Sequence, residues 1–333
     1  MDALLPQLRA LSPQIDADGA WPGRSLELLA DAGVYRWFVP PAYGGAGWSE
    51  GQLARGYIQL ASACLTTAFV LTQRSAACKR VAKCANTVLK DRLLPDLAAG
   101  RVFATVGLSH LSTSRRHLGR PAVTATRVGR GFRLEGTTWW VTGAGHADYI
   151  LVGADLEGDQ ILLMVPASAV RVGAPAQLVA LTGSHTAAVH LDGVEVGPDA
   201  VVDGPAPLVF GASRTGGTGG LQTSSLATGL ARAAARYIGE EAQQRPRLND
   251  VHRPLVSDLD TLENDMVAYA EGDDGHSKVS LRARANALVL KSTQTALHVA
   301  KGAGYVQGRD PGRWCREALF FLVWSIDSSA DSS

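Results

Sequence analysis

Residues 137–145 read TTWWVTGAG, two adjacent tryptophans out of seven in the chain, running straight into a Thr-Gly-Ala-Gly turn. A flat indole beside small residues that let the backbone come close suits three jobs: a packed barrel core, a stacked base, or one face of a planar cofactor. Other residues able to do chemistry are sparse. Four cysteines occur, Cys64, Cys78, Cys84 and Cys315. In the CKRVAKC stretch, Cys78 and Cys84 are separated by five residues, which fits neither a zinc knuckle nor a redox CxxC pair. On a helix they would not share a face, so they read as reduced, partly buried thiols of a cytoplasmic protein. The glycine-rich stretch GASRTGGTGG (211–220) lacks the Lys-Ser/Thr ending of a phosphate-binding loop and reads as a flexible link into a helix.

The elements that must position these residues fall into three zones. The chain has 333 residues, 46% hydrophobic and 19% charged, enough for two or three domains with cores. A formal net charge of +1 provides no field to recruit nucleic acid or an anionic membrane. Arg115, Arg116 and Arg120 form only a small basic cluster. No leader pattern opens the sequence, and no run is apolar enough to span a bilayer. Residues 1–98 read as an N-terminal helical domain. SLELLADAGVYRWFV places Leu26, Leu29 and Val34 on one side with Gly33 as a stop, and PPAYGGAG must turn sharply. The following stretch from Glu50 reads as two buried helices. Residues 99–205 change to short β-branched or alternating runs: AVTATRV, GFRLEGTTWWVT, DYILVGAD, QILLMVP and AAVHLDGVEVG. Their hairpin-sized spacing predicts an antiparallel β-barrel or sandwich rather than a parallel sheet. Residues 206–333 return to long helices in a bundle-like C-terminal domain, with GRWCREALFFLVW as a final apolar helix before a polar tail. The fold class is α+β, a β domain between two helical blocks.

That order, with four phrases in it, resembles the acyl-CoA dehydrogenase superfamily of flavoproteins over nearly the whole chain. The phrases are WFVPPAYGGAGWS, GFRLEGTTWWVTGAGHADYILVGA, LTGSHTAAVHLDGVEVGPDAVV and HVAKGAGYVQGRDPGRWCREALFF. The resemblance implies FAD as cofactor, with the Trp140-Val141-Thr142-Gly143 segment lying against the isoalloxazine ring. An indole would cover one ring face, and Thr142 would offer a hydroxyl or N–H to the flavin N5 edge. Without the resemblance, Trp139 and Trp140 would simply alternate in and out of a barrel wall. The resemblance further implies that Thr113 hydrogen-bonds cofactor or substrate, and that Arg245 pairs with the FAD pyrophosphate of a neighbouring subunit. Gly302 and Gly304 would meet the adenylate half. A homodimer or homotetramer follows from the same likeness.

Several positions depart from the family pattern. Gly107 stands where a threonine is usual, Leu108-Ser109 replaces Glu-Pro, and His110 is new in that loop, a candidate acid or base near the flavin. The carboxylate base that takes the α-proton of an acyl thioester aligns with Ser325, and the alternative base position falls near Gly219. A serine cannot perform that abstraction unaided; Asp327 or Glu317 would have to reach the flavin instead. The departures point to a non-standard reaction such as flavin monooxygenation. That reaction would use FAD, or reduced FMN from a separate reductase, with Thr142, Ser325 or His110 as the donor near N5. Acyl-CoA dehydrogenation and a non-redox binding protein or base-independent enzyme on the same fold are the alternatives.

Overall fold

In α1 (Leu4–Asp18) the buried residues Leu4, Leu8, Ser12 and Ile15 recur at helical spacing, and the helix ends at left-handed Gly19. α2 (Gly23–Asp31) stops just before Gly33, whose φ of +72° carries the chain into a 3₁₀ turn over Val34–Phe38. This is the predicted stop. In the sharp turn that follows, a Cβ on Gly45 would lie 1.8 Å from the Val39 carbonyl oxygen, so glycine alone fits. A capping box between Ser49 and Gln52 then opens α3 (Glu50–Ala61). α4 (Leu65–Lys83) and α5 (Thr87–Ala99) complete the first block. This structure is a computed structural model, and it describes residues 1–112, 121–209 and 221–324.

Arg74 of α4 is fully buried, and no carboxylate among the described residues pairs with it. Its Nη2 donates to the carbonyls of Leu97 (2.5 Å) and Val102 (3.1 Å), and its guanidinium lies 3.7 Å above the Tyr35 ring. The charge thus caps the C-terminal end of α5, where helix carbonyls lack partners.

Among the described residues eight strands form one sheet: β1 (Ala104–Gly107), β2 (Val123–Val128), β3 (Gly131–Val141), β4 (Tyr149–Leu156), β5 (Asp159–Pro166), β6 (Arg171–Val172), β7 (Ala187–Val196) and β8 (Val201–Ala206). Their order is β6-β7-β3-β2-β4-β5-β8, with β1 added onto β4. The pairing is antiparallel, as predicted, except where β1 runs parallel to β4 and where β2 meets β4 at one position. The exception has a topological cause: the β2–β3 hairpin lies between β1 and β4 and supplies the long connection that parallel neighbours require. Period two is plain in β4 and β5. Ile150, Val152, Ile161, Leu163 and Val165 fill a core within the sheet domain, while Leu151, Leu162 and Met164 join the core shared with the helices.

The last block holds α7 (Leu221–Ala242), α8 (Asn249–Ala270), α9 (Lys278–Ala300), α10 (Asp310–Ala318) and the short α11 (Phe320–Val323), after a four-residue turn, α6 (Ser109–Ser112), in the middle domain. The single final helix expected over 312–324 is two, broken at Leu319. All four cysteines are free thiols. Among the described residues no helix is long and apolar enough to cross a membrane.

Candidate functional site

β3 pairs with β7 as Thr138↔Val189 and then as Val141↔Ala187. Three steps along β3 therefore face two along β7, which is a β-bulge. The extra residue lets Trp140 adopt φ = +63°, a region that bulky side chains avoid. Both indoles are consequently exposed, Trp139 at 54% and Trp140 at 63%. Simple alternation would have buried one of them. The pair instead forms an exposed aromatic platform at the end of a central strand.

The residues just past the bulge anchor it. Val141 is buried in the sheet core. Thr142 is only 1% exposed; its carbonyl accepts from Thr105 Oγ1 (2.7 Å), and its hydroxyl shares a hydrogen bond with Thr186 Oγ1 (3.1 Å). Thr186 is tied in turn to Ser184 Oγ (2.9 Å). The Thr142 hydroxyl, expected to face a flavin N5, is thus engaged inside the protein, because the bulge turns the backbone between Trp140 and Thr142. Gly143, at φ = +67°, donates its N–H to the Ser184 carbonyl (3.0 Å), and a Cβ there would sit 2.6 Å from the Trp21 ring. Trp21 itself stacks on His146 with centroids 4.2 Å apart. His146 Nε2 meets His185 Nδ1 (2.8 Å), and His185 Nε2 donates to the Gly19 carbonyl (3.0 Å). Burial first, then the neighbouring His185, pushes the His146 pKa down.

The loop after β1 closes over the same bulge. A Cβ on Gly107 would come within 2.9 Å of Thr138 Cγ2, which explains the glycine at this position. Ser109 Oγ donates to the Trp139 carbonyl (2.8 Å). His110 Nε2 lies 2.9 Å from the Gly153 carbonyl, and Nδ1 lies 3.2 Å from Thr138 Oγ1. A carbonyl can only accept, so Nε2 carries the proton and Nδ1 accepts from the Thr138 hydroxyl. Burial lowers the His110 pKa, more than the Gly153 bond raises it, and favours this neutral ring. With both nitrogens engaged, His110 holds structure; its sequence offered no sign of that role.

Arg245 is brought beside the 301–305 turn. Its Nη1 donates to the Val299 carbonyl (3.0 Å) at the end of α9, and its Nη2 pairs with Glu241 (2.5 Å). Gly302 has open space where a Cβ would be, while Gly304 packs against Ala300. Thr113, Gly219, Ser325 and Asp327 lie outside the described residues. Glu317, the other carboxylate considered as a base, is 1% exposed on α10. It lies 3.7 Å from Arg313 Nη1, which also bonds Ser12 of α1, while Arg313 Nη2 bonds Asp310 (2.7 Å). Among the described residues neither Glu317 oxygen has a hydrogen-bond donor, and burial, opposed by Arg313, raises its pKa to about 7. Glu317 therefore belongs to the seam between α10 and α1. The bulged strand end thus carries two exposed indoles, with the loop after β1 bonded to its backbone and to Thr138.

Residues 6–101 match the family described as acyl-CoA dehydrogenase, N-terminal domain. Cyclohexane-1-carbonyl-CoA dehydrogenase of Geobacter metallireducens is 26% identical over 189 residues, 55% of this chain and 50% of that protein. The oxygenase component of p-hydroxyphenylacetate 3-hydroxylase from Acinetobacter baumannii is 26% identical over 166 residues, 47% of this chain and 35% of that protein. The matched part thus spans half or less of these two relatives. TdsC of Paenibacillus sp. A11-2, solved with FMN and indole, superposes with a TM-score of 0.82 at 18% identity, covering 98% of this chain and 92% of that one. At that identity the likeness is one of fold. Residues 6–101 thus match the N-terminal domain of that family, and the chain as a whole shares the acyl-CoA dehydrogenase-like fold.

Proposed function

We propose that the chain is a flavin-dependent oxidoreductase whose isoalloxazine ring is received by Trp140 and its neighbour Trp139. The observation that carries this reading is the bulge: a strained Trp140 at φ = +63° is retained where its only visible effect is to present an indole outward. Flat apolar exposed rings, a closing loop and an arginine beside open Gly302 fit such a cofactor, FAD by the resemblance, or FMN. Bound flavin would supply hydride or oxygen chemistry; the chain's part is to bind and orient the ring and keep water from it. Val141, Thr142 and Gly143 serve as the anchor behind the platform, and Arg245 with Gly304 frames the far end.

Within that class the reading is a non-standard reaction such as monooxygenation, because by the resemblance Ser325 aligns with the base position, and Glu317 is engaged with Arg313. Its partners would be a small-molecule substrate, a separate flavin reductase and a second copy of the chain, in the cytoplasm. Acyl-CoA dehydrogenation is the second reading, favoured by the relative that acts, by its name, on an acyl-CoA. The test is the visible absorbance of the purified protein, with FAD and FMN added back in oxidised and reduced form. Bound-flavin bands and quenched tryptophan emission are expected, both lost in Trp140→Ala. If no flavin binds in either form, the reading fails. Bleaching by an acyl-CoA under anaerobic conditions would select the dehydrogenase; oxygen consumption by the reduced form with substrate would select the oxygenase.

A further inference from the structure

The indole platform has a dedicated support that is neither part of the sheet ladder nor supplied by the flanking residues of β3. Ser109 and His110 reach it from the loop after β1. Ser109 Oγ holds the carbonyl of Trp139, inside the bulge itself. His110 Nδ1 holds the hydroxyl of Thr138, the last residue before the register shifts. The other side of the imidazole is fixed to the Gly153 carbonyl on β4. A Cβ on Gly153 would lie 2.2 Å from Leu111 Cδ1, so the loop is also seated sterically on the same residue. Two successive residues of the loop therefore hold two successive β3 residues, one of them through to β4, at the point where the register with β7 shifts.

We propose that Ser109 and His110 are positioning residues that clasp the bulge between Thr138 and Val141, through the Thr138 hydroxyl and the Trp139 carbonyl, fixing the direction in which Trp139 and Trp140 face. The statement about flavin rests on the functional reading above; the statement about the indoles does not. The clasp makes the platform rigid before any ligand arrives, so binding does not have to order two large side chains. Loss of either bond leaves the bulge held from one side only. The sheet remains, because its core residues on β3, β4 and β7 are untouched.

The test uses near-ultraviolet circular dichroism of the full chain without flavin, with the Trp139–Trp140 contribution assigned from Trp139→Phe and Trp140→Phe. Ser109→Ala and His110→Ala are expected to keep the far-ultraviolet spectrum and lose the pair's signal. Each is expected to weaken FAD or FMN binding about tenfold, the scale of one lost hydrogen bond. His110→Asn retains an acceptor near the Nδ1 position and is expected to restore most of the signal. If His110→Ala does not fold, Ser109→Ala and His110→Asn decide. Folded variants with an unchanged near-ultraviolet spectrum overturn the clasp; a changed spectrum with unchanged flavin affinity supports the clasp and overturns its part in flavin binding. Should the unmutated chain bind no flavin, a changed spectrum in Ser109→Ala still supports the clasp while the flavin reading falls.

Discussion

Trp140 sets one local preference against another. Its backbone occupies the left-handed region at φ = +63°, and its indole is largely exposed, so neither conformation nor burial favours it there. Glycine would relieve the strain at some cost in chain entropy. Trp140→Gly is therefore expected to unfold at higher temperature, about 1 kcal/mol more stable, while losing flavin binding. Differential scanning calorimetry beside a flavin titration checks both halves, and a clear loss of stability would mean the indole is structural after all. The tryptophans themselves were legible as an anomaly in the sequence. Their shared outward direction was not, because period two assigns them opposite faces and only the pairing of β3 with β7 places the extra residue. For the same reason the internal engagement of Thr142 and the task of His110 were hidden: both depend on partners that are 28 to 44 positions away.

Between elements, the α10–α1 seam holds an ionisable group poorly solvated for its charge. Burial, opposed by Arg313, pushes the Glu317 pKa up to about 7 from the ordinary glutamate value of 4.5, so the folded state binds the proton more tightly. Its contribution to stability is accordingly full below about pH 4.5 and declines as pH rises through 7. The difference corresponds to about 3 kcal/mol. In urea titrations across that range, Glu317→Gln is expected to remove this decline, and parallel pH profiles for the two proteins would refute it. The helices forming such seams were mostly readable: α7 and α9 as long stretches with small-residue faces, α2 from its glycine stop. α8 went unrecognised even though Leu255, Leu259, Leu262 and Met266 fall on one buried face, since Pro254 and a dense acidic surface obscure that stripe. β1 was equally hidden, a strand of four residues whose parallel partner begins 45 positions later.

At the scale of the whole molecule, polar contacts tie helices to the sheet domain. Asn86 is the most economical: its Oδ1 caps α5 through Leu89 N, and its Nδ2 donates to the Asp199 carbonyl (2.9 Å) and to that of Val201 (3.1 Å) on β8. Asn86→Ala is expected to cost about 1–2 kcal/mol and to separate the unfolding of the first helical block from that of the sheet. A single transition by both fluorescence and far-ultraviolet circular dichroism would show that the apolar interface alone enforces cooperation. The helix–sheet–helix order was visible in composition, because buried helices and two-faced strands differ in period. The ties between the blocks were not, since nothing in Asn86 or Asp199 names its partner. Arg74 carries a consequence of another kind. Its charge leaves water only after Tyr35, Leu97 and Val102 have all arrived, and those come from both sides of it along the chain. During synthesis, a nascent chain that has emerged only as far as α4 holds an arginine it cannot bury. The native environment of that guanidinium is complete only once the chain has been made as far as Val102.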